Sequence, residues 1–162
     1  MKYIINERQY RLLTEEEQEV LQISSLNVFG GWEALQKFLE KKDNPLYSFE
    51  GYLNLRGTNI ESLGSLTSVG NSLDLRGTNI ESLGNLTSVG NSLDLRTTNI
   101  ESLGNLTSVG GSLNLIGCKK LTSLENLTSV GGILDLKRTP ISRKYSRAEI
   151  RQMVKVDGDI YL

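Results

Sequence analysis

Residues 71–90 read NSLDLRGTNIESLGNLTSVG, and residues 91–110 repeat them with one change, Gly77 becoming Thr97. Residues 51–70 differ from residues 71–90 at four positions, and residues 111–131 form a diverged copy one residue longer. A fixed period of this length means a stack of equivalent supersecondary units, a solenoid. The architecture is therefore legible, whereas no partner or activity is written in the repeat.

Within residues 71–90, Leu73 and Leu75 alternate with Ser72, Asp74 and Arg76, the period-two signature of a short half-buried strand. Beyond Thr78 the apolar period becomes three, with Ile80, Leu83, Leu86 and Val89, which suits a tight 3₁₀-like or irregular return. Gly84 and Gly90 are expected where the chain turns back, through positive φ or close approach. Each unit then makes one strand and one return, stacked in parallel as one coil of a right-handed solenoid. One unit cannot offset its own ordering entropy, so neighbours must cover its apolar layer. Thr58, Thr78, Thr98, Cys118 and Thr139 occupy one equivalent position and are expected to form an inward ladder, their hydroxyls bonding backbone at the bend. Cys118 reads as a rung of that ladder, since no base or cation sits at an activating spacing.

The pattern LxLxxTxIxSLxxLxSVG resembles the leucine-rich repeat, with Thr58, Thr78 and Thr98 where that family usually has Asn. The segment LTSVGGSLNLIGCKKLTSLENLTSVGG (residues 106–132) is similar to the short repeats of receptor-L-type domains. The resemblance covers residues 51–141 and implies an α/β leucine-rich-repeat solenoid with a parallel sheet of about six strands. Its functional implication is protein recognition. The end segments IINERQYRLL and TPISRKYSRAEIRQMV are similar to parts of uncharacterised tailed-phage proteins, which bears on origin alone.

The chain reads as one continuous domain: a helical N-terminal cap (1–50), four repeats (51–131), and a divergent final repeat with a C-terminal cap (132–162). In the first cap, Lys2 to Asn6 are expected as a short strand, with Asn6 capping a helical turn through Leu13. Thr14 and Glu17 form a capping box for a helix through Leu26. Trp32, Leu35, Phe38 and Leu39 share a face of a second helix that stops before Asp43-Asn44-Pro45, and Trp32 and Phe38 are expected to plug the first coil. In the last cap, Ser146 and Glu149 form another box, with Ala148, Ile150, Met153 and Val154 as the apolar stripe. The final VDGDIYL echoes the strand opening of each repeat, so a last strand is expected at Asp159–Leu162, its outer edge exposed for self-pairing or strand addition.

Composition narrows the class. The net charge of −1 exerts no general pull on nucleic acid or an anionic membrane, and no apolar run approaches the ~18 residues of a span. The start lacks the pattern of a secretory signal, and Cys118 is the only cysteine, so a reducing compartment is expected: the cytoplasm, or a host's cytoplasm if phage-encoded. There is no histidine, cysteine pair, nucleophile elbow or phosphate loop, so neither catalysis nor a cofactor is expected. Asp157-Gly158-Asp159 aligns with the turn before each strand and reads as a turn rather than a metal motif. The N-L-T sequons at Asn85, Asn105 and Asn126 are products of the repeat.

Strand alternation places Asn54, Asp74, Asp94, Asn114 and Asp135 in a column on the outer sheet face, beside Arg56, Arg76, Arg96 and Lys137. Coils ~4.8 Å apart make like charges repel by roughly 0.9 kcal/mol in water, and the opposite column returns about as much. A solvated salt-bridge lattice is one reading; a recognition surface with Tyr52 and Tyr161 as aromatic anchors is the other. Charge is uneven along the chain. Residues 132–162 carry seven basic and four acidic side chains, and Arg147 and Arg151 share a helix face with Lys144 and Lys155 in line. The expected function is a non-catalytic protein-interaction module using the sheet face (Tyr52, Arg56, Asp74, Arg76, Asp94, Arg96, Tyr161) and the basic cap (Arg147, Arg151). The alternative is a structural protein that forms homo-oligomers through its C-terminal strand edge. Nucleic acid, through Arg143, Lys144, Arg147 and Arg151, is not the expected partner, and no membrane is expected.

Overall fold

The computed structural model describes residues 20–162. The chain forms a β-solenoid in which every repeat contributes two short strands to two parallel sheets. The seven-stranded sheet runs β1 (Leu21–Ile23), β2 (Tyr47–Phe49), β4 (Leu66–Val69), β6 (Ser88–Val89), β8 (Ser108–Val109), β10 (Ser129–Val130) and β12 (Lys155–Val156). The six-stranded sheet runs β3 (Leu53–Asn54), β5 (Leu73–Asp74), β7 (Leu93–Asp94), β9 (Leu113–Asn114), β11 (Leu134–Asp135) and β13 (Ile160–Tyr161). Equivalent repeat positions pair in register, Leu73 with Leu93 and Val89 with Val109. One strand and a plain return per unit is thus corrected: the Ser-Val dipeptide closing each return also pairs, giving two sheets. Backbone donors at that corner need partners, and the neighbouring coil supplies them.

The six periodic apolar positions of residues 71–90 (Leu73, Leu75, Ile80, Leu83, Leu86 and Val89) are all buried. Thr58, Thr78, Thr98 and Thr139 donate their hydroxyls to the carbonyls of Leu55, Leu75, Leu95 and Leu136 at 2.6–2.8 Å, the ladder read from the sequence. Cys118 is its buried sulfur rung, 3.1 Å from the Leu95 carbonyl, and burial pushes its thiol pKa up.

Two glycine columns have different reasons. Gly57, Gly77 and Gly117 have φ between 66° and 75°, where a side chain is strained. Gly90, Gly110 and Gly131 instead face the backbone of the coil before: an added Cβ would lie 2.1–2.2 Å from a carbonyl oxygen.

The first cap departs from expectation. Lys2–Asn6, the turn through Leu13 and the Thr14–Glu17 box lie outside the described residues. Where the expected helix would run on to Leu26, Leu21–Ile23 is strand β1, paired parallel with β2. The alternating burial of Leu21 and Ile23 against the sheet outweighs helix propensity there. A 3₁₀ turn at Leu26–Val28 follows, capped by Ser25. Helix α1 (Trp32–Glu40) ends before Asp43 and Asn44, which take left-handed φ of 61° and 52° ahead of Pro45. Its plugging side chains are Leu35 and Leu39, both buried; Trp32 and Phe38 are half-buried against the core's margin. Tyr47, also buried, donates to the Leu63 carbonyl at 2.9 Å, and Gln36 donates to its hydroxyl. Burial drives the Tyr47 pKa strongly upward.

At the other end, a short helix α2 (Pro140–Lys144) precedes α3 (Arg147–Met153), whose capping box is formed by Ser146 and Glu149. Ile150 and Val154 are buried, whereas Ala148 and Met153 face outward. No helix among the described residues is long and apolar enough to cross a membrane.

Candidate functional site

The outer face of the six-stranded sheet brings together most of the residues singled out from the sequence. Asn54, Asp74, Asp94, Asn114 and Asp135 each accept the backbone N–H of the residue two positions on, at 3.1–3.2 Å. This Asx turn explains why only Asn and Asp occupy the column. The i to i+2 spacing is present in the sequence, overlaid there by the alternation of charge.

A lattice of charge lies over these turns. Arg76 Nε donates to both Asp74 oxygens at 2.8 and 3.0 Å, and its terminal nitrogen also bonds that carboxylate. The same guanidinium reaches Asp94 in the next coil at 3.4 Å. Arg96 holds Asp94 in the same way, with contacts of 2.7–3.1 Å, and Lys137 lies 3.6 Å from Asp135. Asp74 is thereby 4% exposed although it stands on an outer face. Burial pushes its pKa up, but the side-chain and backbone donors of Arg76 outweigh that and hold the carboxyl below the usual carboxylate range. Arg76 and Arg96 are shifted upward by their aspartates. Arg56 stands at the end of the column, where Asn54 replaces the aspartate, and no ion pair to it forms among the described residues.

The anchors differ from each other. Tyr52 is 52% exposed beside Asp74; its pKa is raised by partial burial and then by the Asp74 charge, with Arg76 opposing. Tyr161 is half-buried beneath the Lys137 ammonium, 4.3 Å from the ring centroid. In the fourth repeat Asn114 and Ile116 interrupt the lattice, and Ile133, which the sequence reading passed over, stands 39% exposed in the column of Tyr52. Its signal was available: it is the apolar residue at a position otherwise held by Ser72, Ser92 and Ser112.

The basic cap is arranged otherwise. Arg147 Nε donates to the Ile160 carbonyl at 2.8 Å, and Arg151 donates to the carbonyls of Val156 at 2.7 Å and Gly158 at 2.9 Å. Both guanidiniums are engaged with the backbone of the last coil, so the C-terminal strand edge is closed on its acceptor side. Glu81 and Glu101, at equivalent positions of successive repeats, share Lys120, at 3.9 and 2.5 Å. No group of three or more His, Cys, Asp or Glu among the described residues is placed to hold a metal ion.

Compared with protein-family models, curated proteins and solved structures, the chain matches none. Its class rests on architecture: a β-solenoid of parallel sheets, one of whose faces carries an ordered Asp–Arg lattice.

Proposed function

We propose that the protein is a non-catalytic interaction module that presents the outer face of its six-stranded sheet to a protein partner. One observation carries this reading: Tyr52 and Ile133, two of the large apolar side chains exposed among the described residues, stand in one column of that face, with the lattice between them. Apolar anchors separated by a rigid, self-neutralised polar field are the composition of an interface in which few residues supply the energy. The lattice is already satisfied within the chain, so its role is to fix geometry and exclude mismatched charge. The resemblance to leucine-rich repeats, a family that recognises proteins, supports the same reading. Arg147 and Arg151 contribute less than their charge implies, because both are engaged with the chain's own carbonyls.

The test is affinity capture with the wild-type chain and with Tyr52→Ala and Ile133→Ser. Each substitution should weaken the complex by ~2 kcal/mol, roughly 30-fold, while the melting temperature holds. Capture unchanged in both variants would rule out this face.

A further inference from the structure

The two ends of the solenoid are not equivalent. At the C-terminal end, Arg147 and Arg151 occupy outward carbonyls of β12, β13 and the turn between them. At the N-terminal end, the seven-stranded sheet continues to β1, whereas the six-stranded sheet stops at β3. Among the described residues no strand follows β3 on that side, and residues 25–30, SLNVFG, which resemble SLDLRG at 72–77, turn instead as 3₁₀ at Leu26–Val28. Gly30 and Gly31, at φ 84° and 126°, then lead the chain away into α1.

This leaves an edge among the described residues. Leu53 and Leu55 donate to Ser72 and Asp74, so by alternation the main-chain groups of Tyr52, Asn54 and Arg56 point to the vacant side. The Arg56 N–H is taken by Asn54 Oδ1, while in later coils the N–H equivalent to that of Tyr52 reaches a serine hydroxyl of the coil before. Apolar exposure gathers at the same end: Val28 is 75% exposed, Tyr52 52% and Val20 39%.

We propose that this end is a homodimer interface, with β3 pairing antiparallel to β3 of a second copy about a two-fold axis through Asn54. The edge is self-complementary in that arrangement. Asn54 exchanges two main-chain hydrogen bonds with its counterpart, and each Tyr52 N–H meets an Arg56 carbonyl of the other copy. Each Arg56 side chain lies across from a Tyr52 ring, a favourable cation–aromatic pair. The two Arg56 side chains are meanwhile kept about 13 Å apart along the strand. Head-to-tail stacking is opposed by the occupied carbonyls at the other end, so association closes at two copies instead of growing into a filament. An edge only as long as β3 falls below the ~1,200 Å² of a permanent complex, so the dimer is concentration-dependent.

Light scattering of the full-length chain over a concentration range tests this, and the expected result is a monomer passing to twice its mass with nothing larger. Asn54→Pro removes an outward N–H from an edge strand, where proline is tolerated, and should shift the midpoint at least tenfold; it also removes the Asx-turn acceptor of the Arg56 N–H, so its melting temperature falls modestly. Tyr52→Lys sets like charges against Arg56, leaves that turn intact, and should shift the midpoint likewise while the melting temperature holds. Ile133→Ser, remote from the edge, should leave the dimer intact, which separates this proposal from the partner-binding face. A monomer at every concentration, assigning the edge to residues 1–19 or to another protein, would overturn it. So would a dimer indifferent to both variants, or assemblies beyond two copies.

Discussion

Replacing Gly90 by alanine tests the claim that stacking distance, rather than backbone conformation, fixes that column. A Cβ at Gly90 would sit 2.1 Å from the Gly70 carbonyl oxygen, backbone against backbone. Reaching the 3.0 Å below which such contacts essentially never occur requires the coils to part by about 0.9 Å. The Gly90 N–H to Val69 carbonyl bond, now 2.8 Å, would then stretch past hydrogen-bonding range. One lost bond with its partners left unsatisfied, together with a loosened leucine layer, amounts to ~3 kcal/mol. For a chain of this size that lowers the melting temperature by roughly 6–12 °C. Gly77→Ala is the contrast: φ is 66° but nothing lies within 4 Å, so the cost is ~1 kcal/mol of left-handed strain. The chain supplies its own control, because Thr97 already occupies the equivalent position at φ 58°, and Thr97→Gly should gain ~0.5–1 kcal/mol. Urea denaturation of the three variants decides the matter. Equal losses for Gly90→Ala and Gly77→Ala would refute the close-approach argument.

Three further substitutions address the lattice and the C-terminal cap. Asp74→Asn keeps the Asx-turn acceptor, as Asn54 and Asn114 do naturally, and should cost under ~1 kcal/mol at neutral pH, whereas Asp74→Ala removes turn and ion pair together and should cost ~2 kcal/mol. Because the folded Asp74 carboxyl titrates below its unfolded range, its stabilisation is complete above the unfolded pKa and vanishes as pH falls through the folded one. Acid titration of stability should therefore be shallower in Asp74→Asn than in the wild type, and identical slopes would contradict the assignment. Arg151→Ala should speed amide hydrogen exchange in β12 and β13 while leaving β5 to β9 unchanged, since a solenoid opens locally from an unlatched end; uniform acceleration would count against that latch.

The repeat made the buried positions and the threonine ladder legible because both are local consequences of period. Leu73 to Val89 face inward in each copy, and a hydroxyl three residues after a leucine reaches that leucine's carbonyl whichever coil it occupies. The caps were less legible because they have no period. Leu21–Ile23 suits a helix or a strand on pattern alone, and only the free edge of β2 selects the strand. Arg147 and Arg151 read as a basic patch because their spacing is local, while the carbonyls that occupy them become acceptors only once the final coil is built.

The repeating order of residues is enough to make this chain stack and to set which positions of each repeat enter the core. Only the assembled coils give the stack two sheets, bury Asp74 under Arg76 and latch one end, while at the other end no further strand pairs with β3 among the described residues. The physical reason is the range of the interactions. Burial and turn geometry are set within one repeat, but the pairing of edges and the neutralisation of charge depend on which coils become neighbours, or on there being no neighbour.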